Sequence, residues 1–234
     1  MKMPGKKERE YKFVLTKDQY ASLWNLVQPV SRQELQDNLF FDHQSILGNL
    51  LWAFRLRIEG PPAAAVASPD AVKSLYDIEI HVERAVMAVK GPARMSKGAV
   101  LRSEVEEQIP VTAARRITDA GAVTIGEMPP SVSAAVKQIL KDTKSPEEFE
   151  VWANFRNLRL ADLTRTAHGS VEIALDRSET ADGRRRFELE IETTGDGDIL
   201  ARDMMQKMGT KSFETAKVGK LVWAAQLDTR AGML

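Results

Sequence analysis

A chain of 234 residues with 33 lysines and arginines against 33 aspartates and glutamates has no net formal charge, and its 43% hydrophobic residues give it enough apolar surface to offset the entropy of folding. The balance excludes the basic excess of a dedicated nucleic-acid binder and the polybasic run of a membrane anchor, and no apolar run reaches the roughly 18 residues of a membrane span. The lack of cysteine excludes disulfide scaffolds, cysteine zinc sites and thiol nucleophiles, so the expectation is a soluble cytoplasmic protein with neither nucleic acid nor membrane as partner.

In chain order, Lys7 to Val14 reads as a first strand, and Thr16 as the N-cap of a helix with Tyr20, Leu23, Trp24 and Val27 on one stripe. Strands follow over Leu35–Asp42 and Leu51–Glu59. The segment Gly60–Asp70, rich in proline and alanine, has neither alternation nor stripe and reads as a mobile loop. A strand with a bend is expected from about Leu75 to Lys90, and another over Leu101–Ile109. Helices are expected over Thr112–Ala120, stopped by Gly121, and over Ser131–Lys141 after Pro129 and Pro130. Strands return at Phe149–Leu160, Ser170–Leu175 and Arg186–Glu192, and Ile199–Leu227 reads as one or two helices broken near Gly209. About eight mostly consecutive strands favour an α+β chain: an antiparallel sheet or barrel with helices set apart, one domain over residues 1–234 with a helical segment from about 199.

Successive side chains of a strand point to opposite faces, so alternation tells which residues point together. Glu8, Glu10 and Lys12 share a face, as do Arg55, Arg57 and Glu59, while Phe54, Leu56 and Ile58 share the other. Glu172 and Asp176 repeat the arrangement, Glu188, Glu190 and Glu192 do so with three carboxylates, and Glu104 and Glu106 follow Arg102. A solvated sheet face gives charged alternation too. Faces of nearly pure glutamate or arginine are a stronger pattern, because like charges within ~7 Å repel unless a cation or a basic strand answers them. If the sheet closes with these faces inward, the result is a polar interior with acidic and basic walls, covered outside by helices. Arginine and lysine rows recognise phosphate oxygens, and glutamate clusters take hard divalent cations, so the charges point to metal-assisted phosphoryl chemistry.

Glu8-x-Glu10-x-Lys12 resembles the ExExK signature of the CYTH superfamily, the triphosphate tunnel metalloenzymes. The arginines of Phe54-Arg55-Leu56-Arg57, Lys90 in Val89-Lys90-Gly91-Pro92, the stretch Val171 to Asp176 and the late Glu188-Leu189-Glu190-Ile191-Glu192 follow in the family's order, so the resemblance runs from Glu8 to about Lys220. It implies an eight-stranded antiparallel barrel forming a tunnel, and activities that include inorganic triphosphatase, thiamine triphosphatase and class IV adenylate cyclase. Carried over residue by residue, it implies Glu8 and Glu10 as metal ligands with Glu188 and Glu190, Glu192 being a further member to consider. Lys12 is implied to contact phosphate or orient the attacking water, and Mg2+ or Mn2+ is the implied cofactor. Arg55, Arg57, Lys90 and Arg156 match the basic wall, with Arg159 a rival for the last place. Lys217 and Lys220 resemble basic residues lent by a C-terminal helix, with Lys211 beside Ser212 as another counterpart. Glu172, Asp176, Glu104 and Glu106 stay open as members of the site.

The expected activity is metal-dependent hydrolysis of a triphosphate-bearing small molecule, first of all inorganic triphosphate to diphosphate and phosphate. A cyclase, a thiamine triphosphatase and a non-catalytic polyphosphate or nucleotide binder follow in that order, and a homodimer stays open. In the thiamine branch an aromatic precedes the first arginine of the pair by two residues, where this chain has Ala53. The three histidines lack metal-ligand spacing, and the four tryptophans read as packing.

Overall fold

Alternating sequence becomes strand here because each strand has one apolar face to bury and one charged face to turn the other way. The computed structural model describes residues 6–27, 31–92, 94–96, 99–141, 146–166, 169–195, 198–216 and 219–225. Eight long strands, β1 (Lys6–Leu15), β2 (Arg32–Asp42), β3 (Ala53–Gly60), β4 (Arg84–Lys90), β6 (Ala99–Ile109), β8 (Glu148–Thr166), β9 (Gly169–Glu179) and β10 (Arg185–Gly195), make the wall; β5 (Arg94–Ser96), β7 (Ala122–Thr124) and β11 (Glu214–Thr215) are short additions. The order β1-β10-β9-β8-β2-β3-β4-β6 is antiparallel at every step, and β6 pairs back onto β1, Glu8 facing Arg102, which closes the ring. The expected eight-stranded antiparallel barrel is therefore present.

The apolar faces point outward, under helices. α1 (Lys17–Val27) starts from a reciprocal cap, the Gln19 amide donating to Thr16 Oγ1 at 3.2 Å and the Thr16 amide to Gln19 Oε1 at 2.8 Å. Its stripe of Tyr20, Leu23, Trp24 and Val27 buries against Leu158, Leu160, Leu175 and Leu189, with α5 (Asp198–Lys207) beside it. The short α2 (Ile46–Asn49), then α3 (Val111–Ala120) and α4 (Pro130–Ile139), cover Phe54, Leu56, Ile58 and Met87 on the other side. Gly121, at φ 69°, takes the left-handed conformation that ends α3, and Pro130 opens α4. No helix among the described residues is long and apolar enough to cross a membrane.

Two sequence expectations are corrected. The strand expected from Leu75 is limited to β4, and Leu75–Asp77 is a 3-10 turn. The preceding segment, expected to be mobile, is an anchored strap on the outer wall. Gln33 bonds Val66 through both backbone groups at 2.7 and 2.8 Å, Pro62 bridges Ile80, and Arg177 donates to the carbonyls of Pro69, Val72 and Lys73. Proline and missing alternation forbid a ladder, but side chains of the barrel satisfy the strap's backbone instead. At the C-terminal end the break near Gly209 is real, its φ being 68°. Beyond it lie a 3-10 turn at Thr210–Ser212, then β11 on β1 and the five-residue α6 (Lys220–Ala224).

Candidate active site in the barrel interior

The inward faces enclose a cavity of about 480 Å³. Its basic wall is Arg55 and Arg57 on β3 with Lys90 on β4, brought together because Ala53 pairs with Lys90 and Arg55 with Ala88. Glu104, across from Lys90 on β6, accepts from Lys90 at 2.8 Å and lies 3.5 Å from Arg55. Burial, and then the neighbouring Arg57, push the Arg55 guanidinium down to about 10. Burial would raise Glu104, but Lys90 and Arg55 outweigh it and hold its carboxyl below the usual range.

The acidic wall is built by register. Glu10 faces Glu192, and Glu192 faces Glu172, so three carboxylates lie side by side on adjacent strands and all line the cavity. One step along, Lys12 faces Glu190 and bonds it at 2.8 Å while also reaching Glu10 at 2.8 Å. Glu190 is further held by Arg159 at 2.5 Å and by Lys220 of α6 at 2.8 Å. Burial opposes ionisation of Glu190, yet Lys12, Lys220 and Arg159 keep it well below the ordinary carboxylate range. Lys220 also meets Asp176 and Glu188, and against the pull of burial these acids raise its ammonium above the ordinary value, so it stays charged.

Of the residues singled out from the sequence, Glu10, Lys12, Arg55, Arg57, Lys90, Glu190 and Lys220 line this one cavity, as do Glu172, Glu192, Glu104 and Glu106. Glu8 sits on β1 two residues before Glu10, where only its backbone is described. Lys217 lies outside the described residues, and Lys211 is exposed away from the cavity. Glu188, on the same face of β10 two residues before Glu190, is fully buried, is bonded by Arg186 at 2.7 Å and does not border the cavity, so the β10 carboxylates that line it are Glu190 and Glu192.

Arg156 is a correction. It shares the outward face of Leu158 and Leu160, grips Asp37 with two nitrogens at 2.5 and 2.8 Å, and donates to the strap carbonyls of Leu75 and Ile78. Arg159, of opposite parity, points inward and holds Asp176 at 2.7 to 2.9 Å. The alternation of Phe155, Asn157 and Arg159 against Arg156, Leu158 and Leu160 carried that distinction. Glu34, Gln36 and Asn38 on β2 escaped the sequence reading, although their period of two was a signal; Gln36 and Asn38 are buried, and Asn157 donates to both Gln36 and Asp176.

The donors suit a hard divalent cation, since Glu10, Glu192 and Glu172 stand side by side on adjacent strands and supply only carboxylate oxygen. Among the described residues, however, no three acids or histidines are drawn together into a finished metal cluster, the lysines and arginines being interleaved.

No family model and no curated protein matches the sequence. Solved structures do. A Hippeastrum protein described as an adenylyl cyclase with a dominant triphosphatase activity is 22% identical, with 97% of each chain covered and a TM-score of 0.65. A Bacillus halodurans protein described as an adenylate cyclase candidate is 15% identical over 93% of this chain and 97% of that one, at 0.58. The Pyrococcus horikoshii protein PH1819 is 16% identical over 95% and 99%, at 0.53. At such identities the likeness is one of fold, end to end.

Proposed function

We propose that this chain, whose fold is the antiparallel tunnel barrel of the CYTH type, hydrolyses a triphosphate in a metal-dependent reaction, with inorganic triphosphate the first substrate to consider. The observation that carries the reading is a single cavity lined both by the basic residues Arg55, Arg57 and Lys90 and by the carboxylate row of Glu10, Glu192 and Glu172.

Arg55 and Arg57 offer planar forks to phosphate oxygens and Lys90 a compact charge, and all three neutralise the negative charge of a triphosphate and of its transition state. They pair with the side chains of Glu104, Glu59 and Asn38, which phosphate oxygens can replace without breaking backbone structure. Arg159 takes the place in the basic set that sequence resemblance gave to Arg156. Glu10, Glu190 and Glu192, with Glu8 by its strand position, would hold Mg2+ or Mn2+. Such an ion supplies Lewis acidity and lowers the pKa of bound water. Lys12, held between Glu10 and Glu190, contacts phosphate or orients the attacking water. Attack of water on a terminal phosphorus breaks one phosphoanhydride bond and yields phosphate and diphosphate.

The second reading, a cyclase, draws support from the names of two similar structures. A panel of inorganic triphosphate, ATP and thiamine triphosphate, each with Mg2+ or Mn2+, separates the two. Phosphate and diphosphate formation that stops in EDTA is the expected result. Cyclic AMP with little phosphate would overturn it, and binding without turnover would leave a polyphosphate-binding module.

A further inference from the structure

The carboxylates around Glu190 are reached from beyond the strands by a helix too short to hold itself. α6 has five residues, and so short a helix takes its stability from whatever fastens it. It packs Trp223 and Ala224 on a small apolar patch of Phe40, Ala153 and Phe155, the Trp223 ring standing edge-on to Phe155 at 6.3 Å. At its first residue Lys220 enters the barrel and meets Asp176, Glu188 at 3.2 Å and Glu190 at 2.8 Å. Leu221 and Val222 border the cavity beside it.

The other end of α6 is gripped by a residue that does not border the cavity. Arg184, in the turn between β9 and β10, donates Nη1 to the Trp223 carbonyl and Nη2 to the Ala224 carbonyl, both at 2.9 Å. Such carbonyls are the ones that a helix end leaves without a partner of its own. The same guanidinium lies 5.7 Å from the centre of the Trp223 ring. The turn itself aims the fork. Asp182 accepts from Arg184 Nε at 2.9 and 3.2 Å and also from Thr180 Oγ1. The Thr180 amide donates to the Arg184 carbonyl at 3.0 Å, and Gly183 supplies the left-handed φ of 84° that the turn requires.

We infer that Arg184 is a positioning residue for the cavity: the β9–β10 turn clasps α6 by its last carbonyls and so keeps the Lys220 ammonium on Glu190. The kinetic part of the inference rests on the triphosphatase reading. A planar fork suits the task because it spans two successive carbonyls at once, which a single ammonium does not. The Arg184 side chain is 33% exposed and that of Asp182 52%, so cutting the clasp leaves no charge buried and its effect passes through α6.

The test uses the full chain. Arg184→Ala is expected to speed hydrogen exchange about 10-fold or more at the amides of Trp223 and Ala225, which bond the Gly219 and Leu221 carbonyls, with strands β8 to β10 and the melting temperature nearly unchanged. With inorganic triphosphate and Mg2+, KM should rise about 5-fold and kcat be nearly kept, because the anion then meets a cavity that lacks one well-placed ammonium. Loss of folded protein would lower kcat instead. Lys220→Ala should raise KM further, and Arg184→Ala added to it should change nothing more, as expected of two residues acting on one path. Arg184→Lys, which reaches a single carbonyl, should recover part of the loss. Asp182→Asn loosens the fork without removing it and gives the same pattern in smaller measure, which keeps the clasp open to test if Arg184→Ala fails to fold. Unchanged exchange in α6, or an Arg184→Ala effect as large in the Lys220→Ala background as without it, overturns the clasp. Failure of the unmodified protein to turn over any triphosphate would instead defeat the triphosphatase reading, and the exchange measurement would still decide the clasp.

Discussion

Arg156 and Arg159 lie three residues apart on β8 and serve opposite regions of the molecule. Arg156, on the outer wall, spends its donors on Asp37 and on the backbone carbonyls of Leu75 and Ile78, beneath the ring of Tyr76. Arg177 does the same for Pro69, Val72 and Lys73. A carbonyl of a strap cannot be released without undoing the strap, so these arginines fasten structure. Arg159, Arg55 and Lys90 inside the barrel pair with carboxylates, of which Glu190 and Glu104 border the cavity. Such pairs can be exchanged for phosphate oxygens or for a metal. The difference teaches that the partner, side chain or backbone, separates a working cation from a fastening one more surely than burial does.

The comparison breaks first at Glu10. Glu10→Gln keeps the shape of the side chain and removes its charge, and turnover is expected to fall about 100-fold or more with the fold intact. Full activity of this variant, retained in EDTA, would remove the metal from the reaction. Arg55→Ala should be comparably inactive, yet its melting temperature should hold or rise, because burial and Arg57 already disfavour its charge and Lys90 still answers Glu104. A variant that unfolds would class Arg55 with the fastening arginines.

The outer wall should answer in the opposite way. Arg156→Ala removes the donor from Asp37 and from the Ile78 carbonyl, and leaves the Leu75 carbonyl with the Ile78 amide alone; it is expected to cost about 3 kcal/mol, a drop of roughly 6 to 12 °C in melting temperature, with turnover below the transition nearly preserved. Loss of activity without loss of stability would return Arg156 to the tunnel.

A smaller effect should appear on acidification. Glu190, Glu104 and Asp176 are buried carboxylates held below their unfolded values by their cationic neighbours. Their contribution is present above the unfolded pKa of about 4 and is lost as pH falls through the folded values. Thermal melts should therefore be flat from pH 7 to about 5 and decline below about 4. A decline beginning near neutrality would mean that these acids are not held ionised as the interior pairs require.

What the sequence by itself determined is the alternation: which residues of each strand share a face, and hence that one face is charged and the other apolar. That follows from a period of two, a local property. The first helix with its Thr16 cap, the stop at Gly121 and the break at Gly209 were legible for the same reason. Tertiary structure alone decided which charges meet. Glu10, Glu192 and Glu172 stand in a row because the registers of β1, β10 and β9 put them there, and Lys220 reaches Glu190 because α6 enters the barrel from far along the chain. It also turned proline-rich residues into a fastened strap, since the side chains that hold them, Gln33 and Arg177, lie far away in the chain. Local preference fixes the direction of a side chain; pairing energy between distant segments fixes its partner, and the chemistry of a site resides in the partners.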